Sequence, residues 1–437
     1  MTIQLSTITL FPSQTRRAVL TVMGLLVSGL VSCSPSSPSV QQPRGGKAEI
    51  EFWTMQLSPK FDGYFQQLIA NFETQNPGIA VRWVDVPWTA MQSKILTAVS
   101  AKTAPDVVNL NPDFASQLAG RKAWLWLDGK VTDRDRNQYF PKIWRAGTLE
   151  GQSFGIPWYL TTRVMIYNTQ LLKQAGITQP PATYAQLAQL AKQVRQKTGK
   201  FAFFTTVVPE DSAEILESMV QMGVTLVDAN GKAAFNNPIG KQAFQYWVDL
   251  YQSGLLPKEV LTQGHRQGIE LYQAGETALL MSSPEFLNTI GNNAPAIAAV
   301  SATAPQISGD TQKKNVAVMN LVIPRDSDQP DAALKFALFV TNADNQLTFA
   351  KAANVLPSTA QALKDPFFTT LPPNRTAVDQ ARIVSANQLK TAEVLIPVIK
   401  DIKVLQKIIY NQLQAAMLGQ KTASQATADA ASEWDGR

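Results

Sequence analysis

The chain has 437 residues, 45% of them apolar, with 39 basic and 33 acidic side chains, a balance that excludes wholesale disorder and low-complexity fibre. One Cys (Cys33) and one His (His265) leave no disulfide framework and no Cys/His zinc site, so neither a metal nor a cofactor is expected. The net charge of +6 falls to +4 without Arg16 and Arg17, and no long Lys/Arg run appears, which argues against nucleic acid as a partner.

In chain order, Arg16-Arg17 precedes an apolar stretch over residues 18–31. It is shorter than the roughly 20 residues a bilayer-spanning helix needs. Leu30-Val31-Ser32-Cys33 closes it as a lipobox, so residues 1–32 read as a lipoprotein signal peptide and Cys33 as the lipidation site. The segment from Thr15 to Leu20 also resembles a twin-arginine signal. Residues 33–47, rich in Ser, Pro and Gly, read as a flexible tether. The expected product is a monomer held by its N-terminal lipid at the outer, periplasmic face of the cytoplasmic membrane.

The folded part opens with a strand around Ile50 and Phe52. Ser58-Pro59 predicts a helix N-terminus, followed by Phe61, Tyr64, Phe65, Leu68, Ile69 and Phe72 at helical spacing and a stop at Asn76-Pro77-Gly78. A strand over 79–86, a helix through Met91, Ile95 and Val99 and a strand over 106–110 follow. The alternation resumes over 153–168, 182–196 and 201–208, then gives a hairpin over 224–235 turning at Asn230-Gly231, and helices over 244–251 and 404–418. Strands alternating with helices predict an α/β fold with mostly parallel sheets, and the length fits two lobes. No repeat of the kind that builds solenoids or propellers is visible.

The phrase from Gly151 to Asn168, with Ala175-Gly176-Ile177 and Pro180-Pro181 after it, resembles the family 1 extracellular solute-binding proteins, the sugar-type receptors of ABC importers. Phe52-Trp53, Asn76-Pro77-Gly78, Pro105-Asp106, Trp126-Leu127-Asp128, the run from Tyr272 to Met281, Val355-Leu356-Pro357 and the end from Gly419 to Trp434 match in order. The resemblance implies a two-lobed Venus-flytrap fold whose chain crosses between lobes more than once. Lobe I is expected over 48–155 plus 300–345, and lobe II over 156–299 plus 346–437. It further implies a lipoprotein that captures a small solute in the cleft and delivers it to ABC permease subunits. Met319-Asn320 stands where many relatives carry a Gly pair, Val355 where an aromatic often sits, and no aromatic follows Lys400 at the stretch where maltodextrin binders place a stacking Trp. A long glucan is therefore not expected. The ligand classes left are a mono- or disaccharide, a glycosylated osmolyte or a glycerophosphodiester.

A sugar offers C–H faces to aromatic rings and hydroxyls to Asn, Gln, Asp, Glu and Ser. Trp53, Trp88 and the pair Trp158-Tyr159 fall at expected strand ends, the edge where open α/β sheets bind ligands. Gln56, Asn111, Asp113, Ser282, Ser283, Glu285 and Asn320 are the polar candidates. Each has a plainer reading, core for the rings and cap or solvated loop for the polar groups. Gly151-Gln152-Ser153-Phe154-Gly155 matches a nucleophile-elbow spacing, but Ile156-Pro157 favours extended backbone where an elbow needs a helix. His265 reads as a loop or surface residue near the Gly264 turn. No catalytic residue is assigned, and the alternative is an extracytoplasmic carbohydrate-active hydrolase built on a carboxylate pair.

Overall fold

The structure, a computed structural model, describes residues 46–437 apart from 210, 310, 397 and 400. The leader, Cys33 and the tether up to residue 45 lie outside the described residues. The strands, in chain order, are β1 (Ala48–Met55), β2 (Ile79–Val86), β3 (Val107–Leu110), β4 (Thr148–Leu149), β5 (Gln152–Ser153), β6 (Gly155–Thr162), β7 (Val164–Asn168), β8 (Leu279–Ser282), β9 (Ser301–Pro305), β10 (Lys314–Val322), β11 (Leu356–Pro357) and β12 (Ala392–Glu393).

They form a seven-stranded sheet in the order β11-β6-β10-β3-β1-β2, with β12 beside β10, a three-stranded sheet in the order β8-β7-β9, and the small hairpin β4-β5. The α/β class holds, but the sheets are not mostly parallel. Only β2, β1 and β3, and the short β10/β12 pair, run parallel. β10 runs antiparallel to β3 and β6, β6 runs antiparallel to β11 as well, and every pair of the smaller sheet is antiparallel. The reason lies in the connections: the parallel strands are joined through helices, whereas β6 and β7 follow one another with only Arg163 between them.

The large sheet is buried on both faces. Ile50, Phe52 and Trp158 pack under the helices Asp62–Gln75, Pro330–Val340 and Ala343–Ala353 through Phe65, Leu68, Phe72, Phe336 and Phe349. Trp53, Met55 and Val108 pack on the other face against Met91 and Ile95 of the helix Trp88–Ala101 and Leu118 of Pro112–Ala119. This two-sided burial is why Phe52, Trp53 and Met55 of β1 are all buried together with Thr54, on both faces of the strand. The helix expected to start at Pro59 begins at Asp62, with Phe61 at its N-cap. The expected hairpin at 224–235 shrinks to one bridge, Val227 to Ala233.

Sheet membership shifts the lobe boundaries read from sequence. β6, assigned to lobe II, hydrogen-bonds to β10 and β11 in the large sheet, and β9, assigned to lobe I, pairs with β7 in the small one. Likewise β11 and β12, read as lobe II, sit on the large sheet. The chain therefore passes between sheets at Arg163, across 306–313 and again after β12. Two buried glutamines stitch these passages together. Gln388 Nε2 donates to Arg163 O at 3.2 Å while its Oε1 accepts from Gln306 N at 2.7 Å, and the Gln306 side chain pairs with Asn315 N and O. Helix Ala377–Gln388 stands between the two cores, with Ala386 in one and Ala381 in the other.

Candidate functional site

A cavity of about 510 Å³ opens between these two cores. Lys60, Leu160, Thr161, Thr162 and the turn Ala352–Leu356 line it from the large-sheet side. Ser283, Pro284, Glu285, Asn288, Thr289 and Asn292, following β8, line it from the small-sheet side, with Val378, Arg382 and Ser385 of helix Ala377–Gln388. The edge is positioned by simple devices. β6 delivers Leu160–Thr162 at its carboxyl end, β8 ends at Ser282 immediately before the lining loop, and Asn354 caps its helix in the left-handed conformation, turning the chain past the cleft. The lining is hydroxyl, amide and aliphatic with three charged side chains, Lys60, Glu285 and Arg382, and carries no aromatic ring.

Of the residues expected from sequence, Ser283 and Glu285 line this cavity. Tyr159 is half-buried behind it. Burial raises its phenol pKa, and the carboxylates of Glu285 and Asp85 add to the rise, so groups from both sides converge on this ring. Gln56 and Trp88 meet at the carboxyl ends of β1 and β2, where Gln56 Oε1 accepts from the Trp88 amide at 3.3 Å and the Trp88 ring is 44% exposed. Neither lines the cavity, but Lys60, on the same connection as Gln56, does.

The other candidates are structural. Trp158 is fully buried and stacked on Phe349 at 4.8 Å, with Phe52, Phe65 and Tyr159 around it, so no face is open to a ligand. Trp53 lies within β1, not at its end. It is covered by the Lys94 ammonium 4.0 Å from the ring centre, and its Nε1 donates to Glu51 Oε1. Asn111 caps helix Pro112–Ala119, its Oδ1 accepting from Phe114 N at 2.8 Å. Asp113 lies in that helix, and its side chain is outside the described residues. Asn320 is fully buried in β10, where its Nδ2 donates to Val318 O. A Cβ on Gly155 would come within 3.2 Å of Asn320 Cγ, which explains a glycine at that register.

Ser282 is 2% exposed and joins a buried polar chain instead of the cleft. Its Oγ lies 3.3 Å from His265 Nε2, and His265 Nδ1 lies 2.8 Å from Glu214 Oε1. Arg163 Nη1 reaches Glu214 Oε1 at 3.2 Å and Glu217 Oε2 at 3.1 Å, and Thr205 Oγ1 donates to Glu214 Oε2. His265 is thus not a loop residue, and 25% of its side-chain area stays exposed. It opens the helix His265–Gln273, and its backbone N–H donates to Asp211. The order serine, histidine, carboxylate resembles a nucleophile relay, but its chemistry differs. Burial alone would lower the His265 pKa, yet the Glu214 carboxylate carries it above its ordinary value, and that carboxylate is shared with Arg163. Burial opposes ionisation of Glu214, but Arg163 and His265 hold its pKa down to about 2. The chain is an ion cluster at the passage between the sheets.

Ser153 is equally structural. It ends the β4-β5 hairpin, its N–H donates to Asp128 Oδ2 and its Oγ accepts from Trp144 Nε1 at 3.0 Å. Among the described residues, no three His, Cys, Asp or Glu side chains are grouped to hold a metal ion, and no helix is long and apolar enough to cross a membrane.

Sequence reasoning missed Thr161, Thr162, Asn288, Asn292, Asn354 and the stripe Val378, Arg382, Ser385. The stripe shares one helical face through spacings of four and three, and its polar members are Arg382 and Ser385.

The family model for bacterial extracellular solute-binding proteins matches residues 58–347. A proposed oligosaccharide periplasmic-binding protein from Synechococcus sp. MITs9220 superposes with a TM-score of 0.84 at 45% identity, covering 89% of this chain and 98% of that one. The cyclic alpha-maltosyl-1,6-maltose binding protein of Arthrobacter globiformis superposes with a TM-score of 0.77 at 19% identity, over 90% of this chain and 99% of that one, a likeness of fold. The mannitol-binding protein of Pseudomonas aeruginosa is 24% identical over 390 residues, which are 84% of this chain and 88% of the relative. With a family match over most of the folded part and a two-lobed architecture shared with these receptors, the chain belongs to the bacterial extracellular solute-binding proteins.

Proposed function

We propose that this protein is the receptor of an ABC importer, capturing a small polyhydroxylated solute between two lobes and handing it to the permease. The lobes are the units built on the large and the small sheet. The solute is a mono- or disaccharide, a glycosylated osmolyte or a glycerophosphodiester. The observation that carries this reading is the cavity of about 510 Å³ whose walls come from both units and combine hydroxyls, amides and aliphatic groups with the charged Lys60, Glu285 and Arg382. Relatives named for mannitol and for arabinooligosaccharide support a carbohydrate or polyol. Attachment through lipid on Cys33, at the periplasmic side of the membrane, completes the proposal.

Closure follows from where the ligand touches. A solute held by Ser283 and Glu285 on one side and Lys60 and Thr161 on the other favours the closed state only through contacts with both. A thermal-shift screen across the named ligand classes tests the reading, because a compound bound by the native state alone raises the melting temperature by mass action. The bound compound is expected back chemically unchanged, and small-angle scattering is expected to show compaction on its addition. Turnover of the compound would restore the hydrolase alternative.

A further inference from the structure

Thr162 and Ser385 are 4% and 3% exposed, and the hydroxyl of each has no hydrogen-bond partner, yet both residues line the cavity. A buried hydroxyl without a partner is costly, and folded chains keep few of them. These two belong to different elements that meet at one place. Thr162 ends β6 beside the passage to the small sheet, and Ser385 lies on helix Ala377–Gln388. On that helix Val378, Arg382 and Ser385 follow at spacings of four and three residues and all line the cavity, so one helical stripe faces the ligand space.

Arg382 is fixed in that stripe. Its Nε donates to Phe367 O and its Nη1 to Asp379 Oδ1, both at 2.7 Å, and its guanidinium lies 3.9 Å from the centre of the Phe367 ring. A donor held this way loses little freedom on binding. Its charge is already matched by Asp379, and the lining's other two charges, Lys60 and Glu285, are of opposite sign, so the cavity offers no net positive charge to an anionic group.

We propose that Thr162 and Ser385 read the ligand: with Arg382 they form a wall that pairs with the hydroxyls of an uncharged sugar or polyol unit. The inference rests on solute capture in this cleft and narrows it to a neutral ligand, against a glycerophosphodiester. Each hydroxyl both donates and accepts, as a ligand hydroxyl does, and rotation about χ1 alone re-aims it. With no ring in the lining, discrimination comes from hydrogen bonds, which reject analogues lacking a hydroxyl more sharply than apolar contacts do.

Titration calorimetry with mannitol, maltose, arabinotriose and glycerophosphocholine on the wild type, Thr162→Val and Ser385→Ala tests this, alongside the melting temperature of each protein without added compound. At least one neutral probe is expected to bind the wild type, and each variant to bind it about tenfold more weakly. The unliganded melting temperature is expected to stay or rise, since each substitution removes an unpaired buried hydroxyl. Unchanged affinity, a fall in the unliganded melting temperature, or a preference for glycerophosphocholine would overturn the inference while leaving solute capture intact. A wild type that binds none of the four probes would overturn the capture reading and the inference with it.

Discussion

Two tryptophans chosen by the same reasoning end in opposite surroundings. Trp158 is fully buried, stacked on Phe349, while Trp88 stands 44% exposed at the rim where β2 ends. Around Trp158 the rings of Phe52, Phe65, Tyr159 and Phe349 fill one face of the large sheet, and the cavity a few residues further along β6 is lined by Thr161 and Thr162 with no ring at all. Within the phrase from Gly151 to Asn168 the conspicuous rings therefore belong to the scaffold, while the plainer Leu160, Thr161 and Thr162 further along it line the cleft. The rings support the cleft from behind.

That contrast is broken most directly by Trp158→Ala. Removing a fully buried indole leaves a void among four rings, for which about 3 to 5 kcal/mol of stability is expected to be lost. Denaturant unfolding monitored by circular dichroism measures it. A variant of wild-type stability with weakened solute binding would return Trp158 to the ligand.

The cluster at Arg163 is the polar counterpart of the aromatic core, and it sits where the chain passes between sheets. Glu214→Gln removes the carboxylate that Arg163 and His265 share, leaving Arg163 with Glu217 and the His265 ring without that acidic partner. A loss of about 2 to 3 kcal/mol is expected, since removing one member of a buried pair costs more than the pair contributes. Urea unfolding at pH 7 checks it, and a change below about 0.5 kcal/mol would show the cluster to be solvent-screened.

Much of the scaffold was legible in the sequence and little of the site. β1, β2 and the helix through Met91 and Ile95 follow from local pattern, because each buries a face whose period the sequence carries. The antiparallel sense of β6 and β10 was not legible, since it depends on which unit the chain enters after Arg163, and the hydrogen bonds that decide it join residues more than 150 positions apart. The cleft escaped for a related reason. Lys60, Thr162, Asn288, Asn354 and Ser385 come from separate segments, and no short window holds two walls of the cavity. Asn111 and Asn320 show the converse, polar residues at expected strand ends that the backbone and the packing of β10 use for themselves.

Trp88 sharpens the contrast at smaller cost. With its ring half in solvent and its amide held by Gln56, Trp88→Ala is expected to leave the melting temperature within about 2 °C, because an exposed ring contributes little packing. Affinity for a sugar long enough to reach the rim is expected to fall by about 1 kcal/mol, the order of one stacked ring. Comparing maltose with maltotriose by calorimetry measures whether the effect grows with ligand length. Equal affinities in variant and wild type for both sugars would remove Trp88 from the ligand surface.

The smallest expected effect is a dependence on pH, and it separates the two members of the ion cluster by sign. His265 has its folded pKa raised above the ordinary value, because the Glu214 carboxylate outweighs the burial and the Arg163 charge that push it down. A group whose pKa is raised on folding stabilises fully below its unfolded value, near 6.5, and that contribution is lost as pH rises through the folded value. The groups facing it are Glu214 and Asp211 on the acidic side and Arg163 on the basic side, with Ser282 closing the ring's other nitrogen. Glu214 runs the other way. With its pKa lowered to about 2, its contribution is present above the unfolded value near 4.5 and is lost as pH falls towards 2. His265→Gln is therefore expected to flatten the decline in stability between pH 6 and 8 by under about 1 kcal/mol and to shrink the acid limb only in part, since Arg163 still lowers the Glu214 pKa, while Glu214→Gln removes its own acid limb together with the rise in the His265 pKa. Thermal unfolding of the wild type and both variants from pH 3 to 9 reads the two limbs separately. A His265→Gln profile that parallels the wild type across pH 6 to 8 would show that this histidine keeps the same charge folded and unfolded.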